Sequence, residues 1–385
     1  MLKRFMIKNY RNFRDNVCVD FVNISGYQFN MDCLTNGIIS KMLIYGRNAT
    51  GKTNLGRAFI DIAVTLLDNI QNINYGIFLN ADSIENASSF SYTFQFGDKE
   101  LLYKYARLSN RKLRDEELII DDISVFKCDF VHKKFDFDNL KYIDAETANT
   151  EIYLQSLNDG EKAEEVAEYN LPFLRWLISN VALRSDSLLI SLSNYVRRMM
   201  TASPKSAMGS YHDIVNDSFY ESLENPERLQ DLEEFLNAMG IECKLELKEL
   251  PDGQKKLYFK HERSLLPFYE TASSGTLALV DLYKRVIFKM WDASFLYLDE
   301  FDAFYHYEMA ENVIKFFKRK YPMCQVIMTS HNTNLMTNRL MRPDCVFILS
   351  RTGTLTALCN ATQRELREGP NLEKMYISGE FEKYE

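Results

Sequence analysis

The sequence predicts an α/β protein with a mixed central sheet, an antiparallel β subdomain and a helical insertion. Three observations predict it. Gly46-Arg47-Asn48-Ala49-Thr50-Gly51-Lys52-Thr53 fits the pattern G-x-x-x-x-G-K-[ST] between an apolar run and a helical one. Residues 88–137 alternate aromatic and polar side chains, as in Phe90-Ser91-Tyr92-Thr93-Phe94-Gln95-Phe96, which is the period of antiparallel strands. From about Asn149 to Gly240, apolar residues recur at helical spacing instead.

Composition sets the outer limits. With 385 residues, 46% of them hydrophobic, the chain is long enough for one large domain with an insertion, or for two domains. The boundaries expected from pattern are an N-terminal lobe over 1–148, the helical insertion over 149–240 and a C-terminal lobe over 241–385. No apolar run approaches the length of a membrane span, and Met1-Leu2-Lys3-Arg4 leads into no signal-peptide core, so a cytoplasmic protein is expected. The seven cysteines are scattered and form no C-x-x-C pair, which points to reduced thiols rather than a disulfide frame or a zinc site. A net charge of −8 argues against a surface coated for nucleic acid while leaving room for a local basic stripe.

In chain order, Leu2 to Ile7 and Cys18 to Phe21 read as strands joined by the polar turn Asn9 to Arg14, and Met42 to Tyr45 reads as a buried strand. The segment from Gly46 follows, and Asn54 to Leu67 continues as helix. Glycines let the backbone turn its N–H groups around an anion, and the helix adds the positive end of its dipole. Lys52 then reaches the terminal phosphates of a nucleotide, and the Thr53 hydroxyl faces Mg²⁺.

The middle segment is expected to form helices over Glu161 to Tyr169, Pro172 to Ser179 and Asn225 to Met239, the last with a good start at Asn225-Pro226-Glu227. Ala202 to Ser206 reads as a loop. Arg197, Arg198 and Lys205 form a short basic run, which reads more readily as a solvated face than as a nucleic-acid contact. Lys244 to Lys260 is expected to be a hairpin about Asp252-Gly253.

Three further segments carry chemistry. Thr271-Ala272-Ser273-Ser274-Gly275-Thr276 precedes a helical pattern running to Met290, so it is either an ordinary N-cap or a second phosphate-contacting helix start. Phe295-Leu296-Tyr297-Leu298-Asp299-Glu300 is an apolar strand ending in two carboxylates, a Walker B form. Asp299 there serves the Mg²⁺ shell with Thr53, and Glu300 orients or deprotonates the attacking water. Gln325 to Thr329 is another apolar strand, followed by Ser330-His331-Asn332. A histidine at that strand end stands where open α/β sheets put ligand contacts.

The ordered set of phosphate loop, Ser274-Gly275-Thr276, Asp299-Glu300, Asp302 and Ser330-His331 resembles an ABC-type ATPase head of the SMC, RecF and OLD branch. The opening Ile7-Lys8-Asn9-Tyr10-Arg11-Asn12-Phe13 is similar to the first-strand motif of that branch. Arg364-Glu365-Leu366-Arg367 and Asn371 to Gly379 resemble the tail of AAA-type ATPases in bacterial anti-phage defence, such as the AbiL, RloA and PARIS groups. The fold implied is a P-loop ABC-type ATPase head, without the acid-rich Toprim domain of OLD nucleases.

The resemblance implies a role for each matching residue. Gly46, Arg47, Asn48, Ala49, Thr50, Gly51, Lys52, Thr53 and Asn54 hold ATP, with Arg11 beside them. Thr53 and Asp299 hold Mg²⁺, Lys52 and Glu300 are catalytic, and His331 is the switch histidine. Ser274 and Gly275 form the signature that meets the opposite subunit's nucleotide, and Asp302 is the D-loop aspartate. These roles imply a head-to-head homodimer, or a higher oligomer built from it, enclosing two ATP molecules. A slow switch ATPase acting with a separately encoded effector in defence is the function implied. A RecF-like repair or chromosome-maintenance ATPase gripping DNA is the alternative, and DNA or RNA stays open as a partner. The glutamine of a Q-loop is likewise open between Gln95 and Gln155.

Overall fold

The computed structural model describes residues 1–67, 78–109, 112–162, 170–203, 217–290, 292–364, 366 and 371–385. Lys205, Glu365, Arg367 and most of the helix expected at Glu161 to Tyr169 lie outside the described residues.

Six strands build the central sheet, in the spatial order Met199–Ala202, Phe295–Leu298, Gln325–Ser330, Lys41–Tyr45, Val346–Leu349 and Leu355–Ala357. The first five run parallel and the last is antiparallel. Strands such as Lys41–Tyr45 and Gln325–Ser330 are buried along their whole length, as parallel strands covered on both faces must be. Even the cation in this sheet is accommodated: Lys41 donates to the carbonyl of Cys324 at 2.9 Å, and burial lowers its pKa to about 8.

Met199–Ala202 corrects the reading of 149–240 as helical. The segment is helical at Thr150–Lys162, Phe173–Asn180, Leu188–Arg197, Asp217–Leu223 and Pro226–Ala238, yet it also supplies the edge strand beside Phe295–Leu298. Four residues are too few to display a period. Met199 is buried, and Ala202, the first residue of the expected loop, accepts a backbone hydrogen bond from Asp299 at 2.8 Å. Arg197 and Arg198 are exposed at the end of Leu188–Arg197, where cations meet the negative end of a helix dipole.

The antiparallel subdomain is a seven-stranded sheet ordered Lys134–Asp136, Ile123–Asp129, Lys112–Ile120, Lys99–Ser109, Ser88–Phe96, Leu2–Lys8 and Val17–Asp20. Alternate residues of Ser88–Phe96 are buried, following the aromatic pattern of the sequence. One face packs on the helix Lys52–Leu67: the rings of Phe5 and Phe59 pack at a tilt with centroids 4.3 Å apart, and the Tyr92 hydroxyl donates to the Ala58 carbonyl at 2.7 Å. Asp61 on the same helix is buried, and accepts from Tyr105 at 2.6 Å and Arg107 at 2.9 Å. A buried carboxylate is tolerated there because the guanidinium and phenol satisfy it.

A third sheet, Leu245–Glu249, Lys255–Lys260 and Leu265–Pro267, contains the expected hairpin, with Gly253 at φ 81° in its turn. Among the described residues no helix is long and apolar enough to cross a membrane.

Candidate functional site

Parallel pairing brings three chain segments to one edge of the central sheet. Tyr45, Leu298 and Ser330 end neighbouring strands, so the loop from Gly46, the Asp299-Glu300 pair and His331 emerge together at the carboxyl ends. The strand Gln325–Ser330 lies between the other two.

The glycine-rich loop turns into the helix Lys52–Leu67, two residues earlier than periodicity suggests. Arg47, Asn48 and Ala49 form its exposed crest, while Gly46, Thr50 and Lys52 are buried. Thr50 Oγ1 donates to the Arg47 carbonyl at 3.0 Å and closes the turn. Gly46 has no room for a side chain, since a Cβ would stand 2.6 Å from Thr50 Oγ1 and 3.1 Å from the Leu349 carbonyl. Gly51 adopts φ 104°, open only to glycine without strain. Lys52 Nζ donates to the carbonyls of Gly46 at 2.7 Å and Arg47 at 3.2 Å, and lies 3.7 Å from Glu300 Oε1. A nucleotide phosphate entering this loop would take those donors over, because a phosphate oxygen is a stronger acceptor for an ammonium than a neutral carbonyl.

Thr53 Oγ1 donates to Asp299 Oδ2 at 2.6 Å, closing 246 residues of sequence into one contact. The other oxygen, Oδ1, accepts from Thr329 Oγ1 at 2.9 Å. Thr329 therefore orients Asp299. It also accepts from the Glu300 backbone N–H at 2.7 Å, and Phe301 N–H donates to the Thr329 carbonyl at 3.2 Å. Those bonds hold Glu300 at φ 48°, a left-handed conformation that costs a glutamate about 1–2 kcal/mol. Its side chain is 43% exposed and reaches toward Lys52. Mg²⁺ prefers hard oxygen ligands, and Thr53 with Asp299 offers a hydroxyl and a carboxylate side by side, so the residues present fit that ion.

The remaining sequence-predicted residues have other environments. Ser274 and Gly275 start the helix Ser274–Arg285, whose N-cap is Ser273, accepting from Thr276 N–H at 3.1 Å. Ser274 is exposed, and among the described residues no hydrogen bond joins Ser274 or Gly275 to the glycine-rich loop. The helix also begins three residues earlier than its apolar period does, and ends at Arg285. Asp302 turns inward: Oδ2 accepts from Ser330 Oγ at 2.7 Å, and burial raises its pKa. His331 is exposed at its strand end. Arg47 forms an ion pair with Glu385.

Among the described residues Arg11 makes no hydrogen bond to the loop. Its Nε donates to the Tyr10 hydroxyl at 3.3 Å, and its backbone is tied to Phe78 and Asn80. The next residue, Asn12, touches the loop instead, donating from Nδ2 to the Thr50 carbonyl at 2.9 Å and accepting from Asn54 at 2.8 Å. The Q-loop candidates are both remote in bonding terms. Gln95 donates to Gly97 and Lys99 in its own hairpin, and Gln155 is exposed on the helix Thr150–Lys162. Thr329 and Asn12 carried no role in the sequence reading, although Asn12 lies in the opening motif, because both act through contacts across more than 25 residues.

Comparison with known proteins adds the family. No curated protein matches the chain. Among solved structures, it aligns with an SMC head bound to the C-winged helix domain of ScpA, at 14% identity and TM-score 0.46 over 92% of this chain and 96% of that one. An SMC head domain from Thermotoga maritima aligns at 12% identity and TM-score 0.45 over 92% and 98% of the two chains. An Smc head domain with an extended coiled coil, bound to the C-terminal domain of ScpA derived from Pyrococcus furiosus, aligns at 13% identity and TM-score 0.44 over 99% of each. A family model described as "AAA domain, putative AbiEii toxin, Type IV TA system" matches residues 41–337, which span the glycine-rich loop, Asp299, Glu300 and His331. With most of its length inside that model and its loop, carboxylates and sheet assembled as above, the chain belongs to this AAA family and is a P-loop ATPase.

Proposed function

We propose that the chain is an ATP- and Mg²⁺-dependent switch that closes head to head with a second copy around two nucleotides. One observation carries this reading. Lys52, Thr53, Asp299 and Glu300 converge within one chain, whereas exposed Ser274 and half-buried Gly275 stand at a helix start with no bond to that convergence among the described residues. An exposed helix N-terminus is suited to an anion, and in a closed pair that anion would be the opposite copy's nucleotide.

Each residue then has a task. Loop N–H groups and Lys52 bind and orient the phosphates. Thr53 and Asp299, the latter steadied by Thr329, hold Mg²⁺, which when bound neutralises charge developing on the phosphate oxygens. Glu300 accepts a proton from the attacking water, and its exposed carboxylate leaves room for one. Exposed His331, at the same sheet edge, donates to the terminal phosphate and reports its loss.

The biological setting we propose is the sensing and regulating part of a bacterial anti-phage system acting with a separately encoded effector. Support comes from the family's description, which names a toxin–antitoxin system, and from the defence-like tail sequence. The test is light scattering of wild type, Glu300→Gln and the double variant Glu300→Gln with Ser274→Arg, each with ATP and Mg²⁺. Glu300→Gln should form a nucleotide-dependent dimer that the added Ser274→Arg abolishes. A Glu300→Gln protein that stays monomeric while binding ATP sinks the switch reading.

A further inference from the structure

We infer that Asn12 is a positioning residue for the phosphate loop, fixing the plane of one loop peptide so that its N–H faces the anion. The inference deepens the nucleotide-binding reading of the same site and rests on it.

The geometry begins with the tight turn after the first strand. Tyr10 and Phe13 exchange backbone hydrogen bonds, both at 2.8 Å, and both side chains are buried. Phe13 is seated against Gly353, where a Cβ would stand 2.8 Å from its ring. Those anchors leave Arg11 and Asn12 at the tip, with Arg11 at φ 51°. The tip is thus held by the core, and Asn12 is delivered to the glycine-rich loop as part of a rigid element.

At the loop, Asn12 Nδ2 donates to the Thr50 carbonyl at 2.9 Å. In a trans peptide the carbonyl of one residue and the N–H of the next point in opposite directions. Holding the Thr50 carbonyl toward Asn12 therefore turns the Gly51 N–H to the other side, toward the interior of the loop. Gly51, at φ 104°, is among the freest residues to rotate, so this peptide needs an outside restraint. Asn54 Nδ2 donates to Asn12 Oδ1 at 2.8 Å and sets which end of the amide faces Thr50. Contact is close enough that a Cβ on Gly51 would come within 2.6 Å of Asn12 Cγ. Asn12 touches no reacting atom in this scheme; it acts through the Gly51 N–H.

The test compares Asn12→Leu, which keeps the side chain's shape without its donor, and Asn12→Ala with wild type and Lys52→Ala. Dissociation constants for ADP and ATP with Mg²⁺, the KM and kcat of hydrolysis, and thermal melting are measured for each. Leu and Ala at position 12 should weaken ADP and ATP alike by about tenfold, raise KM by a similar factor, and leave kcat at saturation and melting near wild type. A purely packing role predicts instead that Asn12→Leu behaves as wild type while Asn12→Ala melts early. Wild-type affinity in Asn12→Leu, or a fall in kcat with unchanged KM, overturns the inference while leaving nucleotide binding intact. Wild type binding no more tightly than Lys52→Ala would overturn the nucleotide reading itself, and this inference with it.

Discussion

Thr53 and Asp299 are joined by a 2.6 Å hydrogen bond from hydroxyl to carboxylate, although 246 residues separate them. The bond links the first turn of the helix Lys52–Leu67 to the end of a strand two places along the sheet. It forms because the helix lies across that strand: the Tyr297 hydroxyl donates to the Lys52 carbonyl at 2.6 Å just below it. Replacing Asp299 by Asn keeps an acceptor oxygen for only one of Thr53 and Thr329, sets an amide NH2 against the other, and removes the charge that would attract a divalent ion. Hydrolysis in Asp299→Asn should fall about 10²-fold or more, and the Mg²⁺ concentration for half-maximal rate should rise, as a Mg²⁺ titration of ATPase rate would reveal.

Glu300 separates activity from stability. Its φ of 48° is strained for glutamate and free of strain for glycine. Glu300→Gly should therefore raise the unfolding free energy by about 1 kcal/mol in urea titrations while hydrolysis is lost. Glu300→Gln retains the strain and loses only the proposed base, so kcat should drop about 10²–10⁴-fold with stability unchanged. A Glu300→Gly protein less stable than wild type would contradict the strain assignment.

Gly56 is pressed against Tyr297. A Cβ at position 56 would lie 2.5 Å from the tyrosine ring, which is itself fully buried and bonded to Lys52. Gly56→Ala gains helix propensity but must push the helix off the strand. Overpacking of this kind costs about 1–3 kcal/mol, and it should also disturb the Thr53–Asp299 pair one turn away. The expected readout is a lower unfolding midpoint together with a weaker Mg²⁺ response; a stabilised Gly56→Ala protein would show that the helix can shift freely.

Glu116 makes stability depend on pH. It is fully buried in the strand Lys112–Ile120, accepting from the Tyr103 hydroxyl at 2.8 Å and from the Phe173 N–H. Burial raises its pKa from 4.5 to about 7, partly offset by those donors. In the folded state it thus keeps a proton that the unfolded chain has already released. Its contribution to stability is whole below about pH 4.5 and is lost as pH rises through about 7. Denaturant titrations of wild type should show stability falling between about pH 5 and 8, and Glu116→Gln, a mimic of the protonated acid, should flatten that fall.

Much of the site was legible in the sequence because its residues sit in short motifs whose spacing reflects local geometry. Glycines at 46 and 51 followed by Lys52 and Thr53 announce a turn into a helix, and two carboxylates after Phe295–Leu298 announce a strand end. The antiparallel block was equally plain, since its aromatic residues alternate with the pleat. The strand Met199–Ala202 was hidden, because its place in the sheet is set by pairing with Phe295–Leu298 rather than by any period of its own.

What the sequence by itself determined is therefore local: which segments are strand or helix, where the loop turns, and which residue types cluster at strand ends. Tertiary structure alone decided which of those ends meet. It put Gln325–Ser330 between the other two strands, so that Thr329 steadies both Asp299 and Glu300. It bonded Asn12 to the loop and Arg11 to Tyr10, and turned Asp302 inward onto Ser330 while leaving Ser274 outside. The reason is physical: backbone preference acts between neighbours along the chain, whereas strand order, burial and the partner of each polar atom are settled only when distant segments pack.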